Sequence, residues 1–283
     1  MEISHDIAEK NMKEISWYNL EKFPSSNYEC FIREETARSH VCLAGIDLLP
    51  AYHSQTCSFQ QLCSPGTRVQ QVVPGQAGLR IDEFDVVVRL NEAPVKGFEK
   101  DVGSKTTMRI TYPEGAIQKT EQYEAQSLFV LSAFKALDFR WLRTLVFNQR
   151  LHSTDGFWKS VARYVPRDPM DMRILNPYFI QEASFKLIGL PHNNGQMGRG
   201  NIPTLGTVAI TMALHNCDEV AVAGFGYNMS TPHAPLHYYE KIRMSAIKES
   251  WTHNISKEKE FLLKLVKAGV IQDWTNGLCG AEC

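Results

Sequence analysis

The chain has 283 residues, of which 43% are hydrophobic and 22% charged, and its formal net charge is −1. That length and balance suit one large globular domain, and the nearly neutral charge gives no reason to propose nucleic acid or an anionic membrane surface as a partner. The sequence contains no apolar run of about 18 residues, so it predicts no transmembrane helix. Its first ten residues have neither the basic region nor the apolar run of a signal peptide.

The N-terminal quarter of the chain predicts little regular structure. Met1–Leu20 is compatible with one amphipathic helix, whereas Ser54–Gly78 is rich in Ser, Gln, Gly and Pro and has no sustained period of 2 or 3.6 residues. We therefore expect an atypical, poorly organised segment over residues 1–77, a folded domain over residues 78–275 and a C-terminal tail over residues 276–283.

Beyond residue 80, predicted strands alternate with predicted helices. Short runs of apolar, β-branched residues indicate buried strands, and longer stretches between them indicate helices. The predicted strands are Phe84–Leu90, Leu128–Phe134, a strand beginning at Arg173–Leu175, and Val220–Phe225. The predicted helices are Phe139–Asn148, Phe179–Ile188, Thr207–Cys217 and Lys257–Lys267. This alternation favours an α/β fold with a largely parallel sheet that is covered on both faces.

Polar residues at the carboxyl ends of the strands are the first candidates for a site, because ligands bind there in such sheets. Asn91 follows the first predicted strand, and its amide can donate to a phosphate and accept from a ribose hydroxyl. A turn residue is the simpler interpretation of Asn91 alone. Thr204, Gly206 and Thr207 precede and open a helix, where N–H groups and the helix dipole can bind an anion. A capping turn is compatible with the same residues.

Two histidines follow the last predicted strand. His237 begins the run His237-Tyr238-Tyr239, and His253 stands five residues before Glu258. Either histidine could act as an acid, a base or a ligand, and spacing alone leaves a structural role open. The chain contains no Asp-x-Asp, the usual short motif for holding a metal against a sugar-nucleotide diphosphate.

Four segments resemble the motifs of the animal sialyltransferases, glycosyltransferase family 29. Ile81–Thr107 resembles the second half of the large donor-binding motif, and Asn201–Gly226 resembles the small motif. His237–Glu240 matches the third motif, and His253–Glu258 matches the very small motif, His-x-x-x-x-Glu. The sequence between these motifs is most similar to the β-galactoside α2,3-sialyltransferases, which act on N-acetyllactosamine-type galactose.

The resemblance implies a fold, a reaction and a location. The fold would be a Rossmann-like GT-A-variant glycosyltransferase fold, with residues 78–275 as the catalytic domain. The reaction would be an inverting transfer of N-acetylneuraminic acid from CMP-sialic acid to the 3-hydroxyl of a terminal β-galactose on a glycoprotein or glycolipid, with no metal or other cofactor. The location would be the Golgi apparatus.

The resemblance also implies roles for individual residues. His253 would be the general base that takes the proton of the galactose 3-hydroxyl, and His237 would stabilise the departing phosphate. The CMP moiety of the donor would be bound by Asn91, Thr204, Gly206 and Thr207. The family's disulfide between the large and small motifs implies a bridge between Cys63 and Cys217.

One half of the large motif is missing from this chain. Where the family has a short strand and a Gly/Asn-rich turn, the chain has Cys63–Gly78, which contains no Gly-Asn pair. We therefore expect one strand of the sheet to be lost. Two sequons, at Asn228 and Asn254, permit N-glycosylation.

Three functional hypotheses follow from the sequence. The first is an active α2,3-sialyltransferase. The second is a catalytically silent relative or decoy that binds the donor poorly, which the missing Gly/Asn turn favours. The third, an unrelated Rossmann-type nucleotide binder or methyltransferase, is disfavoured because no Gly-x-Gly-x-x-Gly follows a predicted strand.

Overall fold

The computed structural model describes residues 77–151, 156–226, 233, 235–243 and 252–279. The strands in these ranges are β1 (Val88–Leu90), β2 (Met108–Thr111), β3 (Leu128–Leu131), β4 (Met172–Ile174), β5 (Ala221–Val222) and β6 (Gln272–Asp273). The α-helices are α1 (Ala77–Asp82), α2 (Glu99–Val102), α3 (Ala136–Val146), α4 (Pro177–Glu182), α5 (Leu205–Asn216) and α6 (Ile255–Lys267). None of these helices has the length and apolar content needed to span a membrane.

The first four strands form one sheet, in the order β1-β2-β3-β4, and β5 pairs with β6 in a separate two-stranded sheet. All pairings between these strands are parallel. In the larger sheet Val88 lies opposite Met108, and Met108 lies opposite Leu128. The α/β fold with a parallel sheet, predicted from the alternation of elements, is confirmed.

Helices cover both faces of the larger sheet, because successive strand residues point to opposite sides. Ile110 and Val130 face one side, in a core that includes residues of α4 and α5. Phe129 and Leu131 face the other side, in a core that includes α3. In that second core Trp141 is fully buried, and its Nε1–H donates to the carbonyl of Ala162 at 2.7 Å. The result is a three-layer arrangement of helix, sheet and helix.

A third core joins α5, α6 and the small sheet. Ile210 of α5, Leu262 of α6 and Val222 of β5 pack together there with Ile271 and Leu278. Leu278 is only 3% exposed and Cys279 only 5%. The packed part of the chain therefore includes Leu278 and Cys279.

The strands are shorter than the apolar runs suggested, and one buried strand was missed. The first strand covers only the last three residues of the predicted Phe84–Leu90. The missed strand is β2, in which all four residues are buried. Its second residue, Arg109, interrupts the apolar run, so the sequence pattern did not indicate a strand there. Arg109 is nevertheless only 1% exposed.

The buried charge of Arg109 is met by Glu124. The two side chains form an ion pair and a second hydrogen bond, from Arg109 Nε to Glu124 Oε2 at 3.2 Å. Burial opposes ionisation of the Glu124 carboxyl, but the hydrogen bond and charge of Arg109 outweigh it and hold its pKa below the ordinary value. Arg109 Nη1 also donates to the carbonyls of Asn91, at 2.7 Å, and Ala93, at 3.1 Å. The pair thus fixes the loop that follows β1.

A second buried charge cluster lies beyond the ends of β2 and β3. Lys135 Nζ is 2.6 Å from Glu114 Oε1 and 3.4 Å from Asp138 Oδ1. Asp138 also caps α3, since its Oδ2 accepts from the backbone N–H groups of Phe134 and Lys135. Burial raises the pKa of Asp138 to about 6, against the opposing charge of Lys135.

Replacing Arg109 with methionine should destabilise the fold strongly. The change leaves Glu124 buried without its main partner, and removing one member of a buried pair costs about 3 kcal/mol or more. Chemical denaturation measures this free energy. The matched control is Arg173→Met in β4, where the arginine bonds only backbone carbonyls. If Arg109→Met lost no more than the control, the ion pair would not be a main support of the sheet.

The stability of the parent chain should decrease between pH 4 and 7 relative to an Asp138→Asn variant. A pKa raised from 3.8 to about 6 on folding contributes stability that is present below the unfolded pKa and is lost as pH rises through the folded one. The expected change in the difference between the two chains is about 3 kcal/mol. Chemical denaturation at several pH values measures the free energy of unfolding of both chains. The control is Asp168→Asn, because Asp168 is exposed and its carboxylate accepts from the N–H of Met170. If the difference in unfolding free energy between the parent and Asp138→Asn did not change with pH, the raised pKa of Asp138 would be contradicted.

Candidate active site

The ends of three parallel strands meet at one edge of the larger sheet. Asn91 follows β1, the turn Tyr112–Gly115 follows β2, and Ser132–Lys135 follows β3. Sequence reasoning placed Asn91 at this edge. It missed the turn after β2, because β2 itself was not predicted.

Asn91 is held in one orientation. Its backbone has a φ of 50°, a left-handed conformation that asparagine tolerates better than most residues. Its backbone N–H donates to the carbonyl of Ile110 at 2.9 Å, and its side-chain Oδ1 accepts from the Thr111 hydroxyl at 3.3 Å. A Cβ on Gly115 would lie 2.2 Å from Oδ1, so only glycine leaves room for this side chain. Since the oxygen is engaged, Asn91 offers a ligand its Nδ2 amide as a donor.

Two tyrosines near this edge are hydrogen-bond donors rather than bases. Burial, and then the charges of Glu114 and Glu92, raise the pKa of Tyr112 to about 12. Burial, and then the charges of Glu240 and Glu92, raise the pKa of Tyr239 to about 12 as well. Both phenols therefore keep their protons at neutral pH.

His237 is linked to the loop that follows β1 through its neighbour Tyr238. The Tyr238 hydroxyl donates to the carbonyl of Pro94 at 2.5 Å. The His237 ring stacks on Tyr239, with centroids 5.4 Å apart, and its Nδ1 hydrogen-bonds the Glu240 carboxylate. The side chain is 49% exposed. Glu240 thus orients the ring from the Nδ1 side and leaves Nε2 as the atom to meet a ligand.

The start of α5 is a capping turn bound to a buried carboxylate. Thr204 caps the helix, since its Oγ1 accepts from the Thr207 N–H at 3.3 Å. Glu258 of α6, only 3% exposed, accepts from the Thr204 N–H at 3.0 Å and from the hydroxyls of Thr204 and Thr207 at 2.5 Å each. The sequence suggested that this helix end could bind an anion. In the structure the negative charge there is the carboxylate of Glu258, a side chain of the protein itself. Gly206 is needed for packing, because a Cβ there would lie 2.8 Å from the Phe225 ring.

His253 lies next to this turn, on the segment that leads into α6. Its Nδ1 is 2.8 Å from the carbonyl of Ile202, and because a carbonyl oxygen only accepts, Nδ1 must carry the proton. In the neutral ring the lone pair is then on Nε2, the tautomer that a general base needs. The N–H of Ile202 donates in turn to the carbonyl of Thr252 at 3.4 Å. These bonds tie His253 to the residues just before α5.

The remaining predicted residues have structural roles or lie outside the described part of the chain. Asn254 caps α6 through a hydrogen bond from a first-turn N–H to its Oδ1. Cys217 follows α5 and is half-buried, whereas Cys279 is disulfide-bonded. Cys63 and Asn228 lie outside the described residues. The bridge between Cys63 and Cys217 and glycosylation at the two sequons stay predictions.

Sequence comparison relates the chain to a family of known enzymes. A profile of glycosyltransferase family 29 (sialyltransferase) matches residues 74–270. A human CMP-N-acetylneuraminate-beta-1,4-galactoside alpha-2,3-sialyltransferase is 73% identical over 201 residues, which are 71% of this chain and 54% of the human protein. A chimpanzee lactosylceramide alpha-2,3-sialyltransferase is 44% identical over 207 residues, 72% of this chain and 57% of that protein. The chain thus spans little more than half the length of these relatives.

Comparison of structures agrees with the comparison of sequences. A crystal structure of a mammalian sialyltransferase superposes with a TM-score of 0.57 at 28% identity, covering 70% of this chain and 63% of the other. A crystal structure of a mammalian sialyltransferase in complex with Gal-beta-1-3GalNAc-ortho-nitrophenol gives a TM-score of 0.56 at 27% identity. The parallel α/β sheet, the two histidine motifs and these matches together lead to one conclusion: the chain belongs to glycosyltransferase family 29, the sialyltransferases.

Proposed function

We propose that this chain is an α2,3-sialyltransferase that transfers N-acetylneuraminic acid from CMP-sialic acid to the 3-hydroxyl of a terminal β-galactose. The observation that carries the proposal is the geometry of His253, whose Nδ1–H is bound to Ile202 so that Nε2 can act as the base. The high identity to a β-1,4-galactoside enzyme, 73% against 44% for a lactosylceramide enzyme, supports a β1,4-linked galactose as the acceptor.

The proposed reaction is a single inverting displacement. His253 Nε2 removes the proton of the galactose 3-hydroxyl as the oxygen attacks the anomeric carbon of sialic acid, and CMP leaves from the opposite side. Such a base contributes about 10²–10⁴-fold in rate. His237 donates from Nε2 to the departing phosphate in its protonated form, and Glu240 balances that charge.

The reaction needs no metal ion in this proposal. The leaving group carries a single phosphate, so its developing charge is smaller than that of a diphosphate. Asn91 Nδ2 and His237 are donors that can meet it. We further assign the fold to the Rossmann-like GT-A variant and the site of action to the Golgi, both from the family.

A catalytically silent relative is the second candidate. The sequence observation in its favour is Cys63–Gly78, which lacks the Gly-Asn pair of the family's donor-binding turn. Such a protein would keep both histidines and bind CMP-sialic acid poorly.

Calorimetry with CMP and no added metal distinguishes the two candidates. We expect micromolar-range binding to the purified 283-residue chain, followed by sialyl transfer to N-acetyllactosamine. Undetectable CMP binding by the folded chain would instead support the silent relative. Retained binding without transfer would also contradict the enzymatic proposal.

Replacing His253 with alanine should lower kcat by about 10²–10⁴-fold, the contribution of a general base, with little change in CMP affinity. His237→Ala should reduce both kcat and donor affinity, because His237 is assigned to the phosphate. His215→Ala, an exposed histidine at the end of α5, is the matched control. Turnover by His253→Ala equal to that of His215→Ala would eliminate the base assignment.

A further inference from the structure

A cluster of three charged side chains lies at the carboxyl ends of β2 and β3. Glu114, in the turn after β2, is 0% exposed, and Asp138, in the first turn of α3, is 1% exposed. Lys135 lies between β3 and α3, and its Nζ is 2.6 Å from Glu114 Oε1 and 3.4 Å from Asp138 Oδ1. One ammonium therefore serves two buried carboxylates. The reaction proposed above uses none of the three groups.

The cluster is short of hydrogen-bond donors. Asp138 Oδ2 accepts from the backbone N–H groups of Phe134, at 2.8 Å, and Lys135, at 3.1 Å. Within the described part of the chain, Asp138 Oδ1 and Glu114 Oε2 are buried and accept no hydrogen bond. A buried acceptor that lacks a donor is costly, so uptake of a proton is favoured there. Since Oδ2 already has two donors, the proton belongs on Asp138 Oδ1.

Asp138 is the group of the cluster that changes its charge near neutral pH. Burial raises its pKa to about 6, with help from the charge of Glu114 and against the charge of Lys135 and the backbone donors. The turn after β2 also brings the phenol of Tyr112 toward it, but burial raises the pKa of that phenol to about 12, so it stays neutral. The charge of the cluster therefore depends on the proton of Asp138.

That proton determines how the ammonium of Lys135 is shared. When Asp138 is ionised, its carboxylate and that of Glu114 compete for the same ammonium. When Asp138 is neutral, the ammonium meets one carboxylate only, and the ion pair with Glu114 strengthens. The segment after α3 adds no charge at this point. It contributes the ring of Phe157, whose centroid is 5.2 Å from Lys135 Nζ.

The turn that carries Glu114 also supports Asn91. Gly115 follows Glu114 directly, and a Cβ built on it would lie 2.2 Å from Asn91 Oδ1 and 3.0 Å from Tyr112 Cε1. The backbone of Gly115 is therefore packed against both side chains. Its N–H donates to the carbonyl of Tyr112 at 2.9 Å, which closes the turn. A change in the hold of Lys135 on Glu114 thus acts on the group against which the Asn91 amide rests.

We propose that Glu114 and Lys135 are positioning residues for the phosphate of the donor substrate, and that they act through Asn91. A proton on Asp138 strengthens their pairing and so tightens phosphate binding. It also removes one negative charge from the cluster, which lowers the repulsion of an anionic ligand at this edge of the sheet. The inference rests on the proposed function, in which Asn91 Nδ2 donates to the phosphate. The affinity for CMP should therefore rise as pH falls.

Calorimetric titration with CMP at about pH 5 and about pH 7.5 tests the proposal in the parent and in Asp138→Asn. Asparagine keeps an oxygen for the two backbone donors and places an N–H where the protonated carboxyl has its O–H. The two chains should bind CMP alike at the lower pH. At the higher pH the parent should bind about fivefold more weakly, a factor at the lower end for coupled sites. Titration of CMP itself affects both chains equally and cancels in the ratio.

The matched control is Asp168→Asn, since Asp168 is an exposed cap. It should bind CMP as the parent does at both pH values. If the ratio of the dissociation constants of the parent and Asp138→Asn were the same at both pH values, the inference would be overturned. Tighter binding by the parent at the higher pH would overturn it too, because the sign would be reversed.

The same titration separates the inference from the proposed function. A parent chain that bound no CMP at either pH would reject the proposed function, and the inference with it. The expected change of the ratio with pH, in a chain that transfers no sialic acid, would support the inference and contradict only the enzymatic proposal. The measurement needs no turnover, so the two results are independent.

Variants of Lys135 test the link to Asn91. Lys135→Met should weaken CMP binding by about tenfold, which corresponds to about 1.4 kcal/mol, whereas Lys135→Arg keeps the charge and should retain most of the affinity. In an Asn91→Ala chain, Lys135→Met should cause little further loss, because both changes act on one contact. Fully additive losses, or equal binding by the parent and Lys135→Met, would contradict the positioning role. The pH comparison needs only Asp138→Asn, so it decides the question where Lys135→Met does not fold.

Discussion

The buried ion pair between Arg109 and Glu124 fixes the geometry on which the candidate site depends. A guanidinium inside a sheet is costly unless its donors are met, and here they reach Glu124 and the carbonyls of the loop after β1. Asn91 begins that loop, so its position is set from within the sheet. The Tyr238 hydroxyl binds the same loop. His237, the residue just before Tyr238, is therefore placed by the same support.

A second buried carboxylate has a corresponding role at the start of α5. Glu258 joins α6 to the start of α5, as Glu124 joins the segment before β3 to Arg109 of β2. In both places a negative charge is met by protein donors and is not offered to a ligand. The groups that face the ligand are then oriented before it arrives. Such preorganisation is the main way in which enzymes stabilise developing charge.

The sequence pattern predicted the class of fold but not the contacts that hold it. Alternating apolar runs and helical stretches indicated a parallel α/β sheet, because that pattern depends only on local periodicity. It did not indicate β2, because the partner that allows Arg109 to be buried is fifteen residues away. The burial of Asp138 was missed for a similar reason, since a charged residue is normally expected at the surface.

The sequence predicted several residues of the candidate site. It did not predict the long-range contacts that hold them in place. The motifs drew attention to His253, Thr204 and Asn91, and each lies where a strand or helix end should present it. The sequence suggested that the start of α5 could bind an anion, form a capping turn, or do both. The structure places Glu258 there, across 54 residues of chain. A contact of that separation leaves no periodic signal, so only the folded chain could reveal it.

The bond between Tyr238 and Pro94 spans 144 residues of chain, and this separation affects the order of folding. Contacts between distant segments incur the largest loop-closure entropy, so they form after the local helices and the neighbouring strands. Interactions that form late in folding are also among the first to break. Substitutions at Tyr238 should therefore accelerate unfolding more than they slow refolding. The candidate site would open locally while the four-stranded sheet remains intact.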